Sequence, residues 1–232
     1  MTTTAPAVSP VGTELLDDPA ADPRAVAESL RHIARSNRWF GGAAAVRWAM
    51  ARLCRGVPAG RTLTVLDVGT GAGDLPRDLV AWGERRGVRL VPVGVERSRV
   101  AAGLARAHGV PTAVGCAGAL PFAPRSVDVV LASQVAHHFA AADAARFFAD
   151  ASDVARLGVV IADLRRSALA AGLFRIGARL LRFDPATRDD GVTSIRRGYT
   201  RDELAALILR TGRRAHVRTR PGFRVVAWWH TD

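Results

Sequence analysis

The segment Val65-Leu66-Asp67-Val68-Gly69-Thr70-Gly71-Ala72-Gly73-Asp74 constrains the fold most, because an apolar run carrying one acid passes into glycines at alternate positions. That reads as a strand feeding a tight turn, and a helical pattern follows at once from Leu75 to Trp82. Glycine permits positive φ and close approach, so backbone N–H groups and a helix N-terminus face whatever lies over the turn. A dinucleotide fingerprint is G-x-G-x-x-G. Here the third glycine comes one residue early and Asp74 fills the later position, which disfavours a pyrophosphate. A second apolar run, Leu90 to Val95, ends in Glu96, and an acid at a strand end can accept both hydroxyls of a ribose. Two such signals in register point to a nucleoside site.

Strands and helices alternate beyond the glycine turn. Strands are expected near 63–68, 90–95, 111–114, 127–133 and 158–163, with helices near 74–86, 98–108, 143–156 and 200–211. That order implies a parallel sheet covered on both faces. Thr200 and Glu203 form a capping box. Two more strands, near 214–219 and 223–229, flank Arg220-Pro221-Gly222, which reads as a hairpin turn. Ahead of the sheet, residues 22–60 read as a helical cap, with Asp22 and Pro23 starting it and Asn37-Arg38-Trp39-Phe40-Gly41-Gly42 interrupting it. Residues 1–21 are expected to be a flexible tail, and 22–232 a single domain whose 164–199 insert carries Leu169, Leu173, Ile176 and Leu180 at helical spacing. Such a helix could pack on the core, roof an apolar pocket with Trp39 and Phe40, or touch a membrane; the roof is favoured.

With 232 residues, one core is expected. No run approaches the ~18 apolar residues of a membrane span, and Met1 to Thr13 lacks the pattern of a signal peptide, so stable membrane insertion is not expected and a cytoplasmic location is. Cys54 and Cys116 lack metal-type spacing and are expected to be reduced. The net charge is +12, yet all 33 basic residues are arginine. The run Arg210, Arg213, Arg214, Arg218, Arg220 and Arg224 lacks interleaved aromatics or a recognition helix, so a solvated basic face is expected and no nucleic-acid partner.

The D-x-G-x-G-x-G turn resembles the first motif of class I S-adenosylmethionine-dependent methyltransferases. In that light the fold is α/β and Rossmann-like, a seven-stranded mostly parallel sheet with a C-terminal antiparallel hairpin. The resemblance implies S-adenosyl-L-methionine as cofactor, held by Asp67, Gly69, Thr70, Gly71 and Gly73, by Glu96 and Arg97 at the ribose, and by Cys116, Ala117 and Ser133. Ala119-Leu120-Pro121-Phe122 is similar to a segment of the small-molecule branch, although Cys116 stands where that branch often has an adenine-contacting Asp, and a thiol is a poor acceptor. Asn37 to Gly42, His137-His138 and Asp190 to Ser194 are similar to methyltransferases of quinone precursors and polyketide-derived phenols.

A phenol, with a pKa near ~10, is helped to react at neutral pH by a base, and histidine suits that role. His138 is the preferred base and His137 the other candidate, only one of them facing the acceptor. Trp39, Phe40, Arg166 and Ser194 are the expected substrate contacts. Asp163 is expected to cap Arg165 or Arg166, and Ser133-Gln134 offers no carboxylate for a magnesium cage, so no metal is expected. The reading is O-methylation of a small aromatic or polyketide-derived metabolite by a monomer or homodimer. The alternatives are C-methylation of a quinone-type precursor, nucleic-acid methylation, and a degenerate cofactor-binding or scaffold protein.

Overall fold

A computed structural model describes residues 14–231. Its strands are β1 (Thr62–Val68), β2 (Arg89–Glu96), β3 (Thr112–Val114), β4 (Val127–Ser133), β5 (Ala155–Leu164), β6 (His216–Arg220) and β7 (Arg224–His230). They form one sheet in the order β3-β2-β1-β4-β5-β7-β6. The pairs β1–β2, β1–β4, β2–β3 and β4–β5 are parallel, whereas β7 is antiparallel to both β5 and β6. Only β7 runs against the rest. Strand order reverses at β1, so the loops after β1 and β4 diverge over a crevice, the place where open α/β sheets bind ligands.

The helices are α1 (Pro23–Trp39), α2 (Gly42–Leu53), α3 (Asp74–Glu84), α4 (Arg99–Ala107), α5 (Ala141–Val154), α6 (Ala168–Leu180), α7 (Pro185–Arg197) and α8 (Arg201–Leu209). Asp22, Ser98, Ser167, Asp184 and Thr200 cap helix N-termini with their side chains. Each such cap contributes about 1 kcal/mol.

The central strands are apolar on both sides, so each sheet face has its own core. Leu66, Val130 and Ile161 pack with Phe147 and Phe148 of α5 and Leu204 of α8. Val65, Leu131 and Val160 pack on the other face with Met50 and Leu53 of α2 and Leu79 of α3. Trp229 is buried in the first core, and its indole N–H donates to Ser152 Oγ at 3.0 Å. Strand β5 begins at Ala155, ahead of the expected 158, because α5 passes straight into it with no turn residue between.

Residues 14–21 depart from the expected loose tail. Glu14 is buried, Leu15–Asp17 form a 3-10 turn, and the Leu15 N–H donates to Asp190 of α7 at 3.0 Å. The remainder of that tail, residues 1–13, lies outside the described residues. The basic run near the C-terminus is also divided: Arg224 is buried and donates to the Phe40 carbonyl, while Arg220 stacks over Trp48.

Candidate active site

Three glycines shape the floor of the crevice, each at positive φ. Gly69 N–H donates to the Val95 carbonyl at 2.8 Å, and a Cβ on Gly69 would meet Val135 at 2.4 Å. A Cβ on Gly71 would meet only Leu30, at 3.2 Å, so the open side of this residue faces the cavity. Gly73 differs: it caps α3 against Val110 and Ala105 and is not among the residues that line the cavity.

Over this floor lies a cavity of about 780 Å³. Asp67, Thr70, Glu96, Arg97, Cys116, Ala117 and Ser133 line it, as the sequence suggests for a cofactor site. Glu96 accepts from Gly71 N–H at 3.0 Å and from Ser98 N–H at 2.9 Å, which fixes its carboxylate while leaving further lone pairs available. Asp67 Oδ1 and Thr70 Oγ1 are buried with no protein partner. Burial pushes the Asp67 carboxyl up to about 8, Thr70 opposing and the charges of Asp74 and Glu96 adding. Buried polar atoms without partners are uncommon in native structures and suit a ligand that brings its own donors and positive charge. The residues present therefore fit S-adenosylmethionine, whose α-ammonium group and sulfonium are cationic.

Asn37 binds the neighbouring elements together. It donates to Asp74 at 3.1 Å and accepts from Gln134 Nε2 at 2.7 Å, so α1, α3 and the end of β4 are tied at one side chain. Gln134 has φ of 58°, a left-handed conformation rare outside glycine and found at functional turns.

The opposite wall holds the histidines, on the 3-10 turn Ala136–His138 after β4. Both line the cavity, their rings 4.3 Å apart. His137 Nδ1 lies 2.6 Å from Asp163 Oδ1, and the His137 N–H donates to Asp163 Oδ2 at 3.1 Å. Asp163 also accepts from Leu164 N–H, and so does not cap Arg165 or Arg166. Burial pushes the Asp163 carboxyl upward, but His137 and these backbone donors outweigh it and hold it below the usual range. The second ring nitrogen of His137 is buried without a hydrogen bond, 3.8 Å from Glu14 Oε1.

His138 belongs to an ionic cluster that the sequence did not indicate. Its Nδ1 lies 3.2 Å from Asp17, and Nε2 lies 3.9 Å from Glu14. Arg197 reaches Glu14 at 3.2 Å and Asp17 at 3.1 Å. Burial pushes Glu14 up to about 7, with His138, Ser194 and Arg197 opposing. Asp17 is also pushed upward by burial, but His138 and Arg197 draw it far below the usual range. Glu14, His137 and His138 are spaced closely enough to hold a metal ion. The Arg197 guanidinium, however, already supplies positive charge to Glu14 in this cluster, as the ion-pair distance shows.

Trp39, Phe40 and Ser194 line the cavity as expected of substrate contacts. Arg166 does not: it donates to the Gly198 carbonyl and pairs with Glu203 on the outside of the fold, because the chain turns at Arg165 to pair with Tyr199. Cys116 Sγ accepts from Gly118 N–H at 3.4 Å and both cysteines are free thiols.

Glycine turn, acidic strand end and sheet order together are those of the Rossmann-like class I S-adenosylmethionine-dependent methyltransferase fold. Residues 66–162 match the family model described as a methyltransferase domain, and the cofactor that goes with this match is S-adenosylmethionine. No curated protein matches the chain. Among solved structures, a SAM-dependent methyltransferase from Aquifex aeolicus is 17% identical over 91% of this chain and 99% of its own, with a TM-score of 0.58. A possible histamine N-methyltransferase from Thermotoga maritima is 19% identical over 88% and 97%, TM-score 0.55. Magnesium protoporphyrin IX methyltransferase from Synechocystis, with bound SAM, is 14% identical over 82% and 78%, TM-score 0.52. At these identities the likeness is one of fold. Among the described residues, no helix is long and apolar enough to cross a membrane.

Proposed function

We propose that the protein methylates a phenolic hydroxyl of a small aromatic or polyketide-derived metabolite, without a metal. The observation that carries this reading is His137: a buried imidazole with Nδ1 held by Asp163 and its other nitrogen without a hydrogen bond, in the wall of the cavity that the cofactor-site residues also line. When bound, S-adenosylmethionine supplies an electrophilic methyl group. Asp67, Gly69, Thr70, Gly71, Glu96 and Arg97 hold it, and Gly115 to Ala117 offer backbone and shape at the adenine.

On the acceptor side, Trp39, Phe40, Phe174, Phe183, Ile195 and Phe223 supply an apolar, partly aromatic lining that fits a ring and excludes water. His137 Nε2 takes the proton of the acceptor hydroxyl, and Asp163 stabilises the imidazolium that forms. His138, preferred on sequence, also lines the cavity but is engaged by Asp17. It helps hold Glu14, Asp17 and Arg197 as the end wall of the site, with Ser194 beside them. In this reading residues 22–60 and 164–199 form the cover of one domain.

The test is turnover on a panel of simple phenols by wild type and His137→Ala. Proton transfer from a positioned base contributes roughly 10²–10⁴-fold, so His137→Ala is expected to lose that much in kcat while binding S-adenosylhomocysteine as wild type does. Unchanged turnover, or equal activity on acceptors lacking an ionisable hydroxyl, contradicts the reading.

A further inference from the structure

Helix α6 leaves four large apolar side chains in water: Leu169, Leu173, Ile176 and Leu180 are 63%, 49%, 57% and 79% exposed. They fall on one stripe of the helix. A different face holds α6 to the fold, where Ala170 and Ala178 are buried and Gly177 lies against the Phe40 ring. The stripe is therefore not needed for packing. Trp39, 65% exposed at the end of α1, is next in sequence to Phe40, whose ring lies against Gly177 of α6, and Trp39 and Leu173 both line the cavity. Exposed apolar patch and cavity mouth are one region.

Charge along α6 and the C-terminal half of α1 is positive; acids stand at Glu28, earlier on α1, and at Asp184 and Asp189 at the start of α7. From Leu164 to Phe183 the chain carries five arginines and no acid, and Arg175, Arg179 and Arg182 are exposed. Arg31, Arg35 and Arg38 are exposed along α1, with Arg38 stacked over Trp39. A second copy would bring the same arginines into opposition, which disfavours self-association. A polynucleotide would answer the charge but not the leucines.

We propose that α6 and Trp39 seat the protein on an anionic lipid bilayer, with the leucine stripe and the indole at the boundary of headgroups and acyl chains and the arginines on lipid phosphates. An amphiphilic acceptor dissolved in the bilayer then enters the cavity directly. The docking itself stands on α6 and Trp39 and does not depend on which atom is methylated.

The experiment is co-sedimentation of the full chain with vesicles of phosphatidylcholine, alone or with phosphatidylglycerol as the minor component. Binding is expected only with phosphatidylglycerol, to weaken with salt, and to fall about 5-fold for each arginine removed in Arg175→Gln and Arg179→Gln. Ile176→Glu with Leu180→Glu is expected to abolish it while the thermal shift with S-adenosylhomocysteine stays as in wild type, which separates failed docking from a failed fold or cofactor site. No binding to either vesicle, equal binding to neutral vesicles, or full binding by the Glu variant overturns the proposal. So does light scattering that shows a dimer, lost in that variant, without vesicle binding.

Discussion

His137 and Asp163 meet because β4 and β5 are parallel neighbours, which brings the turn after one beside the end of the other. The carboxylate fixes the ring and its tautomer, so Asp163→Asn is expected to lower kcat by more than it changes KM, and to move the alkaline-rising limb of the kcat profile. A variant whose profile keeps its shape would place Asp163 in a structural role only. Glu14 answers pH differently. Its carboxyl is raised to about 7 by burial, so folding favours the protonated form. The resulting stabilisation is complete below the ordinary carboxylate range and is lost as pH rises through about 7. Between pH 4.5, the ordinary value, and about pH 7 the wild type is therefore expected to lose stability in denaturant melts relative to Glu14→Gln, with little further change above that. An identical slope in the two proteins contradicts the assignment.

At the scale of elements, close approaches set what the sequence can vary. Gly191 of α7 has the Phe174 ring 2.2 Å from where a Cβ would stand. Gly191→Ala is expected to push α6 from α7 and cost about 1–3 kcal/mol in chemical denaturation; no loss would show that the two helices slide freely. Strand runs such as Thr62–Val68 and Val127–Ser133 were legible because buried parallel strands are continuously apolar and the turns after them are rich in glycine or polar residues. The helical caps were legible from Asp22-Pro23 and from Thr200 with Glu203. What escaped was contact at long range. Glu14 and Arg197 are paired across almost the whole chain, and no local pattern marks either; Glu14 stands in a polar stretch that composition reads as tail. Asp163 was visible as a strand-end acid, but its partner could be chosen only once β4 and β5 were side by side. Arg166 was misplaced for the same reason, since the bridge from Arg165 to Tyr199 turns it outward.

For the whole molecule, the sheet supplies a rigid crevice and the additions at its two ends supply the cover. Residues 14–21, α1, α6 and α7 line one part of the cavity, while the ends of β1 and β2 and the turns after them line another. Ligand binding to the folded state alone stabilises it by about 2.7 kcal/mol at a hundredfold excess over Kd. For a chain of this size that corresponds to roughly 5–10 °C in Tm. Gly71→Leu, which forces a side chain into left-handed backbone and into the cavity, is expected to remove that shift.

The most direct measurement is calorimetric titration of the wild-type chain with S-adenosylhomocysteine. Saturable heat for one site per chain, absent in Gly71→Leu, is the expected result. No heat from the wild type at millimolar ligand would contradict the assignment of the glycine turn and Glu96 as a cofactor cradle.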